Sequence, residues 1–156
     1  MSVRFVALST ETARRYQVGA PDANGQTPER RTSDGSGLPC RHCLRNVPKG
    51  EEYLVLAHRP FATRHPYAEL GPIFLCAKPC DRHAETDRLP GIFAQSDRLL
   101  IRGYGQDERI VYGTGEMIAT DEIQARAEAL LARKDIAFLH LRSASNNCFQ
   151  ARIDKA

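Results

Sequence analysis

The sequence has no long hydrophobic run; its longest apolar stretch, Ile73–Ala77, is far too short to cross a bilayer. The opening residues MSVRFVALSTETARR lack the charged start and sustained apolar region of a secretory signal. A cytoplasmic location follows as the expectation, with a reducing environment and no membrane association. A strong excess of one charge is missing too. The formal net charge is +3, carried mainly by arginine with both signs interspersed, and aromatic residues make up only 7%. Nucleic acid is therefore not an expected partner, since binding it calls for a basic patch with aromatic residues between the cations. Internal repeats, heptads and low-complexity tails are also absent from the sequence.

What is present is an ordinary globular composition, 42% hydrophobic and 26% charged over 156 residues. The length reads most simply as a single domain, 1–156, large enough to bury a core without staples. Val3–Leu8 reads as a strand, followed by a short helix capped by Ser9 or Thr10, running through Tyr16 and stopped by Gly19. From 19 to 39 the chain becomes a long Gly/Pro/Ser-rich loop, GAPDANGQTPERRTSDGSGLP, rich in turn-favouring residues. Strands are expected at 51–59, about 73–77, 98–104 and 108–112, the last two as a hairpin around a GQD turn.

The clearest helix is 121–134, with Asp121 and Gln124 as a capping box and Ile123, Ala127, Leu130 and Leu131 as its apolar stripe. Strands at 136–142 and 148–154 close the chain. Alternation places Leu139, Leu141, Phe149, Ala151 and Ile153 on one face, and His140, Arg142, Gln150 and Arg152 on the other. The fold class is α+β: a mainly antiparallel sheet with a short N-terminal helix and a longer helix, in the C-terminal half, packed on it.

Four of the five cysteines form two close pairs, Cys40/Cys43 (C-x2-C) and Cys76/Cys80 (C-x3-C). In a reduced compartment such pairs suit metal ligands or buried thiols better than disulfides. As ligands the four suit one structural zinc ion, with His42 or His83 able to replace a cysteine. As a redox pair, Cys40 and Cys43 would use Arg41 and His42 to favour a thiolate. The Gly/Pro-rich lead-in is not the strand-to-helix setting such a pair uses. His83-Ala84-Glu85 with Pro39-Cys40-x-x-Cys43 matches the elements of a zinc deaminase, but in reversed order.

A second candidate site is polar. Arg102, Tyr104, His140 and Arg142 would converge on one sheet face if their strands are neighbours, and two guanidinium groups suit a carboxylate or phosphate. The plainer reading of the same residues is a half-solvated sheet surface.

Taken in order, the blocks DANGQTPER, SDGSGLPCRHCLR, GEEYLVLAHRPF, PYAELGPIF, LIRGY, YGTG and HLRSASNNCFQAR resemble the bacterial domain of unknown function 1203 family over nearly the whole chain. The resemblance implies no assigned reaction. It implies Cys40, Cys43 and Cys80 as the family-like cysteines, with histidine often in the place of Cys76, an exchange that keeps a zinc ligand. The expectation is a small bacterial binding module for an anionic small molecule or a protein partner, with a structural cysteine cluster. The alternative is an enzyme, either a thiol oxidoreductase at Cys40/Cys43 or a metal-assisted hydrolase near His83 and Glu85.

Overall fold

The structure, a computed structural model, describes residues 2–156. In chain order it contains β1 (Val3–Val6), α1 (Thr10–Gln17), β2 (Glu29–Thr32), β3 (Glu52–His58), β4 (Gly71–Cys76), β5 (Arg98–Tyr104), β6 (Glu116–Ala119), α2 (Ile123–Leu131), β7 (Phe138–Ser143) and β8 (Phe149–Lys155). Short 3-10 turns lie at Gly91–Gln95 and Thr120–Glu122. The fold is α+β, and the strands pair antiparallel in two sheets, β1-β8-β7-β5-β6 and β2-β3-β4. Among the described residues no helix is long and apolar enough to cross a membrane. The chain groups into two compact units, one formed by residues through Val6 with Phe61–Ala68 and Ala84–Ala156, the other by Ala7–Pro60 and Glu69–His83.

The first unit holds the five-stranded sheet. One face is built in register from Phe5, Ile153 and Leu139, and from Ala151, Leu141 and Ile101, all essentially inaccessible to solvent. α2 contacts β1, β5, β7 and β8 and buries Ile123, Ala127, Leu130 and Leu131, the stripe that helical periodicity selects. Its start differs from the expected capping box. Thr120–Glu122 winds as a 3-10 turn, so Asp121 is not at an extended cap position, and the Gln124 amide instead donates to the Asp87 carbonyl (2.7 Å) and Glu128 (3.1 Å).

The expected 108–112 strand does not form. β5 is paired by β6 on one side and β7 on the other, and Glu108 adopts φ +61 while its carboxylate accepts the Ala62 N–H (2.9 Å) and the Thr63 N–H (3.2 Å). A single bridge, Tyr104–Ile110, remains of that hairpin. Thr114 pins the loop, its hydroxyl accepting the Gly103 N–H at 2.9 Å and donating to the Val111 carbonyl at 2.6 Å. A methyl group at Gly103 would lie 3.1–3.3 Å from Thr114 and Ile136. Gly103→Ala is therefore expected to destabilise the protein by ~1–3 kcal/mol through overpacking, and Gly103→Ala with Ile136→Val, which removes the Cδ1 atom 3.3 Å away, is expected to recover part of it. Urea unfolding of the single and double variants checks both.

A bulge at Leu141/Arg142 corrects the facing of β8. Phe149 pairs with Arg142 while Ala151 pairs with Leu141, so Phe149 crosses to the His140 face. Its ring centroid lies 4.8 Å from that of His140. β7 is consequently buried on both faces, and the polar side expected to be half-solvated is not.

The second unit holds the three-stranded sheet and α1. Ser9 caps α1 by accepting the Thr12 N–H at 3.2 Å, and Gly19, at φ +93, ends it in a left-handed turn. Ala13 joins Leu54, Leu56, Ile73, Leu75 and the cysteines in one core. The segment expected as loop contains the exposed edge strand β2, whose charges, Arg30 with Glu52 and Arg31 with Glu29, guard an open edge. Asp22 fastens the start of that segment, accepting the N–H groups of Asn24, Gln26 and Ala57. Ser33 fastens its end through the Val47 carbonyl (2.8 Å).

His58, at the end of β3, is buried and hydrogen-bonded through Nδ1 to the Tyr16 hydroxyl (3.2 Å). Burial first, and the Arg41 guanidinium second, push its pKa down to about 4. An unfolded histidine takes its proton near pH ~6.5, whereas the folded one stays neutral until about 4. Its stabilising effect is thus complete above pH ~6.5 and is lost on acidification towards the folded value, by roughly 3 kcal/mol. His58→Gln is expected to flatten that part of the decline, seen as a smaller loss of urea midpoint between pH 7 and 4.5 than in the unaltered protein.

Candidate metal centre

Two turns of chain deliver the four cysteines. The first is closed by Leu44 N–H to the Cys40 carbonyl (2.9 Å) and Cys40 N–H to the Arg45 carbonyl (3.0 Å), with Leu44 held at φ +53. It is docked beside β4 by the Arg41 N–H on the Phe74 carbonyl (3.1 Å) and the Cys76 N–H on Cys40 Sγ (3.3 Å). The second turn is the end of β4 itself, running from Cys76 through Pro79 to Cys80. β4 therefore places one pair in register with the other.

The four Sγ atoms lie within 4.8 Å of one another. Cys40–Cys80 and Cys43–Cys76 are each 3.9 Å apart, and all four thiols are free. With Zn–S bonds of ~2.3 Å, the edge of a tetrahedral four-sulfur site is ~3.8 Å. The two 3.9 Å separations match that edge. Electrostatics point the same way. Hydrogen bonds from Cys43, then Cys76 and Cys80, hold the Cys40 thiol far below its ordinary range. Cys43 is raised by its own bond to Cys40, but Cys76 and Cys80 bring it down to about 7. Cys76 and Cys80 are pushed up, chiefly by bonds to Cys40. Cys40 is thus the sulfur most readily ionised.

The histidines proposed as substitutes are not among these four clustered residues. His42 is fully buried beside them, with Nδ1 3.1 Å from Cys80 Sγ and Nε2 2.8 Å from Thr10 Oγ1. Burial of the ring lowers its pKa. His83 donates its backbone N–H to the His42 carbonyl (2.9 Å). Glu85 forms an ion pair with Arg4 (3.2 Å). The fifth cysteine, Cys148, sits in the β7–β8 hairpin, its thiol directed to the Asn146 carbonyl (3.7 Å).

Two arginines near the cysteines in sequence are engaged by backbone carbonyls. Arg41 is buried and donates to the Pro39 carbonyl (2.7 Å), and Arg82 donates to the Ala7 carbonyl (2.6 Å). Helix α1 contributes residues that spacing alone did not single out. Arg14 donates to the Cys80 carbonyl (2.9 Å), and Gln17 to the carbonyls of Cys76 (2.9 Å) and Lys78 (3.0 Å). The available signal was the polar stripe at 10, 14 and 17 on one helix face.

A family model described as protein of unknown function (DUF1203) matches residues 37–155, more than half of the chain. The chain belongs to this family. The DUF1203 stretch contains all four clustered cysteines and His42, whereas Thr10, Arg14 and Gln17 precede it. Comparison with curated proteins and with solved structures finds no match.

The polar set lies in the other unit. Arg102 is the cross-strand partner of His140, and Arg142 is opposite Leu100, so all three share one face of β5 and β7 with Tyr104. Arg102 Nε donates to the Tyr104 hydroxyl (2.8 Å), and Arg142 Nε to Asn147 Oδ1 (2.8 Å). The fully buried His140 ring is surrounded by Tyr104, Phe149, Phe61 and Phe138, with centroids 4.7, 4.8, 5.1 and 5.3 Å away.

Proposed function

We propose that Cys40, Cys43, Cys76 and Cys80 hold a structural zinc ion, and that the protein acts as a cytoplasmic binding module rather than by chemistry at the metal. The observation that carries this is the gathering of four free thiols within 4.8 Å of one another, with Cys40–Cys80 and Cys43–Cys76 each at 3.9 Å. Four protein ligands complete the coordination of zinc and leave no position for a water or a substrate, unlike a hydrolytic centre. A thiol oxidoreductase needs an exposed attacking sulfur, and Cys40 and Cys43 are 0% and 5% exposed. Elemental analysis of the purified protein is expected to give about one zinc per chain, and chelation is expected to unfold the cysteine unit. Metal-free protein with a fast-reacting thiol would instead favour redox chemistry.

For the ligand, the shared face of Arg102, Tyr104, His140 and Arg142 supports an anionic small molecule, because two guanidinium-bearing residues lie on that one face of β5 and β7. A cleft of about 420 Å³ in the cysteine unit is a poorer place for an anion, since Asp22 and Glu29 line it. Phosphate or sulfate is expected to bind within reach of Arg102 and Arg142, with Arg142→Lys weakening it by about tenfold as one charge-assisted bond is lost. Isothermal titration and anion soaks test this, and no anion at either arginine would sink the idea. A protein partner is the other occupant consistent with a binding role.

A further inference from the structure

We infer that His42 is a positioning residue of the metal centre, donating Nδ1–H to the Cys80 thiolate while Thr10 holds it in that tautomer. This rests on the zinc reading above and adds a residue to it. A metal-bound thiolate is an acceptor only, so the ring nitrogen facing it must carry the proton. A neutral imidazole has one N–H. With Nδ1 protonated towards Cys80 at 3.1 Å, Nε2 accepts, and the Thr10 hydroxyl 2.8 Å away donates to it. The relay therefore runs in one direction, Thr10 O–H to His42 to Cys80 sulfur.

The consequences are electronic and mechanical. A zinc ion with four thiolates carries two net negative charges, and each N–H aimed at a sulfur withdraws some of that charge and lowers its nucleophilicity. One sulfur of each pair receives such a donor, Cys40 from the Cys76 backbone at 3.3 Å and Cys80 from His42. Mechanically, α1 reaches the second pair through three side chains on one face. Thr10 acts through His42, Arg14 holds the Cys80 carbonyl, and Gln17 holds the carbonyls of Cys76 and Lys78. Arg14 and Gln17 also brace each other at 2.9 Å. His42 joins that helix to a metal ligand.

Two substitutions separate the hydrogen bond from mere packing. In His42→Asn the side-chain amide falls near the place of Nδ1 and keeps the donor to Cys80. In His42→Gln the longer side chain reaches towards Thr10 and leaves Cys80 without it. The full chain is loaded with Zn(II), and its affinity is read by competition with a chromophoric chelator. Co(II) substitution reports the thiolate-to-metal absorption, and iodoacetamide followed by peptide mapping reports which sulfur reacts first. His42→Gln is expected to bind zinc about 10- to 100-fold more weakly, to shift the cobalt absorption and to make Cys80 the first sulfur alkylated. His42→Asn is expected to stay close to the unaltered protein in all three.

Wild-type behaviour of His42→Gln in affinity, spectrum and alkylation would overturn the assignment of His42 and leave the zinc reading standing. Equal losses in the two variants, failure to fold included, would overturn the donor role in favour of packing. An unaltered protein that takes up neither Zn(II) nor Co(II) would overturn the zinc reading and this one with it.

Discussion

Cys40→Ser is expected to bring metal content from about one ion per chain to near zero, and to leave the cysteine unit unfolded. Cys40 is fully buried, receives the Cys76 N–H, and donates its own backbone N–H to close the first turn. Serine offers a harder, shorter and protonated oxygen in place of a thiolate, so three soft ligands remain around a position that needs four. A structural zinc site supplies ~10–16 kcal/mol of apparent binding energy, which equals or exceeds the whole stability of a typical domain, ~5–15 kcal/mol. Losing most of it cannot be absorbed by the small core of Ala13, Leu54, Leu56, Ile73 and Leu75. Cys148→Ser is the control, since that thiol contacts a hairpin carbonyl rather than the cluster, and it is expected to leave metal content unchanged. Elemental analysis with limited proteolysis measures both. A Cys40→Ser protein with full zinc and unaltered protease resistance would remove the metal from the structural account.

Leu141→Ala is expected to be severely damaging to the five-stranded unit, at ~2–5 kcal/mol. Leu141 lies on the central strand, in register with Ile101 on one side and Ala151 on the other, and is 0% exposed. Truncation would remove apolar contacts from all its neighbours, and strands hydrogen-bonded on both edges have little freedom to close the resulting gap. Leu141→Met, which conserves volume, is expected to cost less than ~1.5 kcal/mol. With a urea dependence of ~1–3 kcal/mol per molar, the alanine variant should lower the unfolding midpoint by on the order of 1–2 M. Circular dichroism across a urea series reads the shift. Equal midpoints for the alanine and methionine variants would show that the site repacks freely.

The parts of the fold that local chemistry dictates were legible in the sequence. Ser9 and Gly19 bracket α1, and Ile123, Ala127, Leu130 and Leu131 form the buried stripe of α2. What long-range contacts decide was not. The face of Phe149 depends on a bulge, which strict alternation cannot represent. The 108–112 segment has strand-forming residues, yet β5 already has partners on both edges and Glu108 is drawn to the backbone of Ala62 and Thr63. At the candidate metal centre, cysteine spacing disclosed the four thiols, because ligand chemistry repeats at fixed intervals. The contribution of α1 was hidden, because Thr10, Arg14 and Gln17 act on residues far along the chain and resemble an ordinary solvated helix face.

The pairing of β1 with β8 has a consequence for how the protein is made. Val3 lies opposite Lys155, so β1 leaves the ribosome long before the strand it pairs with. Every residue of the cysteine unit, by contrast, has been synthesised once His83 is added. Closing a loop costs entropy that grows with its length, and contacts between distant residues form late. The cysteine unit is thus expected to fold, with any metal that it holds, while the five-stranded sheet is still incomplete and β8 has yet to arrive.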